Sequence, residues 1–218
     1  MGDKLKNEME NPVIIVGAQQ LGKLALDVFM SNNVVVYCFL EDKKELQQQE
    51  INNVSVMSST DDPEFLKLLG KKCEVFVAAE DTAARKSTVN MLKEEYQVVP
   101  VNAIHQFSSV SEHAWLGHGN LINAGAVINS NARLGDNCVV HSNAVIEGDA
   151  SLGDLVQVGA GALIGAGASI DEQAFIGAGA VVVAGIKIGK KARVGAGAVV
   201  IADVAANQTV FGNPAQKV

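Results

Sequence analysis

The 218-residue chain carries 24 acidic and 17 basic residues, a net charge of −7, and is 48% hydrophobic. It has no basic stripe interleaved with aromatics, which argues against a nucleic-acid partner. Its aliphatic runs are far shorter than the roughly 18 residues of a membrane span, and the charged stretch Met1–Glu10 excludes a secretory leader, so no membrane association and a cytoplasmic location are expected.

Cys38, Cys73 and Cys138 stand far apart in apolar runs, which reads as reduced core thiols; no metal site is expected, because its ligands would need closer spacing. Composition changes near residue 103. Of 21 glycines, 17 lie at Gly117 or later, whereas 16 of the 24 acidic residues lie earlier. Two domains are therefore predicted, 1–102 and 103–218.

In the first, Val13–Gly17 reads as a buried strand ending in a glycine turn, followed by an amphipathic helix from about Gln20 to Met30. Val34–Leu40 and Val54–Val56 read as strands, Asp61-Asp62-Pro63 as a helix start, Glu74–Ala78 as a strand, Ala83–Tyr96 as a helix and Val98–Val101 as a last strand. This alternation predicts a small parallel sheet with helices on both sides, half of a Rossmann-type α/β fold. The turn Gly17-Ala18-Gln19-Gln20-Leu21-Gly22 opens a helix, so it is either a phosphate seat or a purely structural turn. Asn102–Ser109 reads as a linker.

From Val110 to Val200 every sixth residue is Val, Ile or Leu, sixteen positions without a slip. A second small residue, usually Ala, recurs four places after the aliphatic one. A six-residue unit fits one short strand and one turn of a parallel β-helix, three units closing a triangular coil. The aliphatics fill the interior. Apolar outer positions such as Leu121, Val127, Val139 and Val145 predict that the flat faces pack on further copies, giving a threefold assembly.

The strand ending in Gly17-Ala18, the strand end Phe39-Leu40-Glu41-Asp42, the unbroken hexapeptide repeat and the tail Gly212-Asn213-Pro214-Ala215 together resemble the sugar acyltransferases typified by sialic acid O-acetyltransferase-like proteins and nucleotide-sugar N-acetyltransferases. The resemblance implies a homotrimer of left-handed β-helices that uses acetyl-CoA to acylate an amine or hydroxyl of a sugar or nucleotide sugar. It implies acetyl-CoA held by turn amides at Ala166, Ala178 and Ala196, and a substrate on the N-terminal domain near Gly17, Gln19, Gly22, Glu41 and Asp42. Lys190 and Lys191 belong to a basic cluster, Lys187–Arg193, that is either a solvated corner or a dock for the phosphates of CoA.

The same resemblance places a catalytic histidine at Gly148, between Glu147 and Asp149. Gln157 stands where many members have a second histidine, and Gln19-Gln20-Leu21 replaces their Gly-Gly-His run. Of the four histidines, His105, His113 and His118 read as junction or surface residues, and His141 is the best-placed substitute base. Asp149 or Glu147 could serve as base only with a raised pKa. The opposing reading is a homologue that kept the trimer and lost the chemistry, acting as a binding, scaffold or regulatory protein. A nucleotide-sugar sensor working through the N-terminal sheet is a third.

Overall fold

The computed structural model describes Asn11–Val218, and Met1–Glu10, read above as excluding a leader, lies outside the described residues. The chain divides into two compact units between Pro100 and Val101.

The first unit holds β1 (Val13–Val16), α1 (Gln20–Ser31), β2 (Val36–Leu40), β3 (Glu50–Ile51), β4 (Val54–Ser58), α2 (Pro63–Leu66), β5 (Glu74–Val77) and α3 (Thr82–Glu95). The sheet order is β3-β4-β2-β1-β5, parallel except for the β3/β4 hairpin. β1 lies between β2 and β5 and is buried on both faces, which is why Val13–Val16 is continuously aliphatic rather than alternating. Asp62 and Asp81 cap α2 and α3 by accepting from Glu64 N–H and Ala84 N–H. Burial pushes the Cys38 thiol up to about 12, with neighbouring Cys73 adding to it, so both remain inert thiols.

Two expectations fail here. Val98–Val101 is not a strand. Gln97 takes a left-handed φ of 56° and Val98 N–H closes back on Leu92 C=O, so this segment finishes α3, and Pro100 has no N–H to give a sheet. The β3/β4 hairpin is the second difference; its positive-φ Asn52-Asn53 turn makes two short strands where only one was expected.

The second unit is a parallel β-helix with three flat faces, left-handed as expected. The first face runs from Ala103–Ile104 to Thr209–Phe211, the second from Ser109–Val110 to Val199–Val200, and the third from Trp115–Leu116 to Lys187–Ile188. Residues 18 apart pair, as in Val127↔Val145↔Leu163, so one coil is 18 residues. The predicted linker is absent: Ala103–Ile104 already pairs with Leu121–Ile122 and is the first rung. Inward aliphatics such as Ile128, Ile146, Ile164 and Ile176 are at most 1% exposed, and Ala126, Ala144 and Ala162 fill the space beside them.

Each corner repeats one backbone shape. The residue three after the inward aliphatic is left-handed at every step from Gly119 to Gly197, which explains the Gly, Asn and Asp found there. A different constraint acts two residues earlier. A Cβ on Gly177 would lie 2.5 Å from Ala196 N, whereas one on Gly179 would meet nothing within 4 Å. The first class of glycine lets adjacent coils approach; the second only sets φ.

The outer faces differ from one another. Leu121 and Val139, expected to pack on another copy, are 0% and 3% exposed within the single chain and are not available for that. The second face keeps a half-exposed aliphatic at five successive rungs, Val127, Val145, Leu163, Val181 and Val199. The third face carries Arg133, Ser151, Ser169 and Lys187 instead. The last coil is short: Ile188 bridges Val204 and Arg193 pairs with Thr209, each 16 residues on rather than 18. The chain then reverses as Gln216–Lys217, antiparallel to the final rung.

Candidate active site

The corners sort the candidate residues. The corner after the first face collects His105, Asn123 and His141 at one position, then Gly159, Gly177 and Gly195 at the same position in later coils. Directly after those glycines come Ala160, Ala178 and Ala196, all exposed. Among the described residues, the amides of these three alanines donate to no protein acceptor. They form a row of bare N–H groups at one-coil spacing, about 4.8 Å apart. His141 stands at the head of that row, one rung above Gly159.

His105 and His141 share a column but differ in environment. His105 is 8% exposed, its Nδ1 accepts Phe107 N–H at 3.1 Å, and its ring lies 5.5 Å from that of Phe107. His141 is half-buried, and burial lowers its pKa, favouring the neutral imidazole. His113 is exposed beside Glu112, and His118 is exposed at the third corner.

Glu147, Gly148 and Asp149 sit at the second corner, with Ala166 one coil below Gly148. Glu147 Oε2 accepts Asn129 Nδ2–H at 3.0 Å. Asp149 is exposed and left-handed at φ 60°, and its N–H bonds Ser130 C=O. A whole side of the coil separates this group from His141. Four extended residues of roughly 3.3 Å each keep the two on the order of 10 Å apart, so one chain does not bring His141 to Asp149.

The third corner is built differently. Asp136 Oδ1 caps His118 N–H and Asp154 Oδ1 caps Asp136 N–H, both at 2.8 Å, so the amides of His118 and Asp136 are taken. Lys190 Nζ pairs with Glu172 Oε2 at 2.7 Å across one coil, while Lys191 is exposed. Arg193 lies on the first face, 4.8 Å above the Phe175 ring. The basic cluster of the sequence is thus divided over a corner and two faces. Ala160 was missed in the sequence, although the triplets Gly159-Ala160-Gly161, Gly177-Ala178-Gly179 and Gly195-Ala196-Gly197 at 18-residue spacing mark it.

In the N-terminal unit, Gly17 has φ 110°, and a Cβ there would lie 2.7 Å from Ala78 O; a Cβ on Gly22 would overlap Gly17 O. Both glycines therefore have a packing reason. Gln19 precedes α1 without capping it by its side chain. Asp42 accepts from Thr60 N–H and Oγ1–H at 2.9 Å, and Glu41 is 5% exposed.

Among curated proteins, no sequence matches the chain. The bacterial transferase hexapeptide (six repeats) family matches residues 113–148, 131–166 and 167–202. A His→Asn variant of perosamine N-acetyltransferase from Caulobacter crescentus, in complex with CoA and GDP-perosamine, superposes with a TM-score of 0.87 at 28% identity, over 96% of this chain and 97% of that one. Over nearly its whole length the chain is similar to a sugar N-acetyltransferase with bound CoA. The acetyltransferase domain of PglB from Neisseria gonorrhoeae, in complex with acetyl coenzyme A, is likewise similar, with a TM-score of 0.87, 26% identity and coverage of 95% and 99%. WeeI from Acinetobacter baumannii AYE gives 0.84, 26%, 95% and 99%.

This chain carries a half-buried imidazole, His141, at the first corner and a glycine, Gly148, at the second. The pKa of His141 has a measurable consequence. Because its folded value lies below the unfolded value of about 6.5, its contribution to stability is complete above pH 6.5 and is lost as pH falls through the folded value. The melting temperature of the wild type should fall more steeply between pH 7 and pH 5 than that of His141→Asn. Parallel curves for the two proteins would show that His141 is not desolvated.

Proposed function

We propose that this chain transfers an acetyl group from acetyl-CoA to an amine or hydroxyl of a sugar or nucleotide sugar, and does so as a homotrimer. The row of bare amides at Ala160, Ala178 and Ala196, headed by His141, carries this reading. Pantetheine presents amide carbonyls along an extended chain, and unpaired N–H groups at one-coil spacing suit such acceptors. Open corners at Gly161, Gly179 and Gly197 leave room beside the row. Lys190 and Lys191 would serve the phosphates of CoA, Lys191 more freely because Glu172 holds Lys190.

The acceptor amine or hydroxyl attacks the thioester carbon, its proton passes to the imidazole of His141, the C–S bond breaks, and the departing CoA thiolate takes that proton from the imidazolium to leave as the thiol. Burial helps, because an imidazole kept neutral is ready to take a proton at pH 7. Glu147 and Asp149 face the sugar from the second corner of a neighbouring copy in this reading, joined there by the amide of Ala166. Five aliphatic rungs on the second face support the trimer, since a stripe of that length is otherwise left to water. Gln19, Gly17, Gly22, Glu41 and Asp42 border the acceptor's place on the N-terminal unit.

The absence of a histidine at Gly148 favours a second reading, a trimer that binds ligands without turning them over. Thermal-shift measurements with acetyl-CoA, joined to an assay of thiol release with amino and hydroxyl sugars, separate the two. Saturating acetyl-CoA at 100 times its Kd should stabilise the chain by about 2.7 kcal/mol. A shift without thiol release selects the second reading, and no shift at millimolar acetyl-CoA removes both.

A further inference from the structure

The corner that follows the first face ends in an aromatic ring. One position there holds His141, Gly159, Gly177 and Gly195 in successive coils. Because the last coil is two residues short, Val194 pairs with Val210 and the next member of this column is Phe211. Three residues without side chains thus lie between an imidazole and a phenyl ring. A Cβ on Gly195 would overlap the Phe211 ring, so the ring is seated directly against that glycine. It is nevertheless 50% exposed, whereas Val210 before it is 5% exposed. Arg193, on the strand that enters the same corner, is exposed and lies 4.8 Å from the Phe175 ring.

The length of the column decides what fits it. From His141 to Gly195 is three coils, on the order of 14 Å. The pantetheine arm of CoA has about twelve bonds from its sulfur to its terminal oxygen, and at roughly 1.2 Å per bond in an extended chain it also spans about 14 Å. With its thioester at His141, the arm ends at Gly195. The phosphates beyond it pass the Arg193 cation, and the adenine arrives beside a half-exposed ring on which any base can stack. Resting on the reading that acetyl-CoA is the acyl donor, we propose that Phe211 is the stacking platform for the adenine. It thereby selects a nucleotide-bearing thioester over the same thioester on a bare pantetheine arm.

Isothermal titration of the full chain with CoA and with 4′-phosphopantetheine, which lacks the adenosine, tests this. Phe211→Ala should weaken CoA about tenfold or more, the usual loss when a stacking ring is removed, and change 4′-phosphopantetheine by less than about twofold. Phe211→Leu keeps an apolar side chain against Gly195 without a π-face and should show the same selective loss, so it decides alone should the alanine variant lose its cooperative melting. Phe211→Trp should retain CoA, and CoA but not 4′-phosphopantetheine should quench the new indole, read against Trp115, the one native tryptophan. Equal weakening of both ligands, or unchanged CoA affinity in Phe211→Leu, overturns the proposal and leaves the donor reading intact. A wild type that binds neither ligand overturns both.

Discussion

Gly148→His should raise acetyl transfer to an amino sugar by about a hundredfold to ten-thousandfold over wild type, the usual worth of a general base. The backbone permits the change. Gly148 is not among the left-handed glycines, and a Cβ there meets only Ser130 O at 3.3 Å, which a shift of a few tenths of an ångström relieves. The imidazole would enter between Glu147, already held by Asn129, and the exposed carboxylate of Asp149. Either acid can orient an imidazole and stabilise its charged form. Rates should be measured with amino sugars both free and linked to a nucleoside diphosphate. The acetyl-CoA KM should stay within about threefold, since Ala160, Ala178 and Ala196 lie at another corner, while kcat/KM acquires a limb near pH 6.5. A folded variant that binds acetyl-CoA with no gain on any acceptor would show that Gly148 does not adjoin the reacting atoms. A fast wild type silenced by His141→Ala would instead identify His141 as the base.

Ile164→Asp should abolish cooperative folding of the β-helix. Ile164 is 0% exposed, and its neighbours in the column, Ile146 and Val182, are 0% exposed as well. An aspartate here finds no donor or cation among the aliphatics of the core, so it must stay charged at a cost of several kcal/mol or take up a proton. The loss of buried aliphatic surface adds about 2 kcal/mol or more. Together these rival the whole stability of a typical domain, about 5–15 kcal/mol. Because each coil bonds only to its neighbours, the damage divides the stack rather than remaining local. A soluble protein with a single cooperative melt would mean that Ile164 does not point inward.

Much of this architecture is legible in the sequence, because a coil repeats one demand at one spacing. An inward aliphatic at every sixth position cannot be met by chance across sixteen units, and Gly, Asn and Asp at the left-handed corner reinforce the register. Leu155, Gln173 and Lys191 occupy the same left-handed corner without any compositional hint, since the stacked rungs on either side impose the shape. Val98–Val101 misled because its β-branched pattern says nothing about whether a sheet edge is within reach. The candidate site is less legible. Which alanines share a corner follows from the 18-residue spacing, but which amides lack partners depends on side chains such as Asp136 and Asp154 reaching back one coil. Likewise, Leu21 N–H donates to Glu80 Oε1 across 59 residues, and only the sheet order brings them together.

The shortened last coil bears on how the molecule avoids becoming a fibre. A solenoid with a perfect pitch ends in a surface that templates its own continuation, and a second molecule can add there as a crystal adds a layer. Here the final rungs arrive two residues early, out of step with the 18-residue lattice, and Gln216–Lys217 folds back antiparallel across the donors and acceptors of the terminal strand. An incoming end finds neither matching phase nor free partners on that face. At this end a mismatch within the chain itself opposes addition of a further coil along the prism axis.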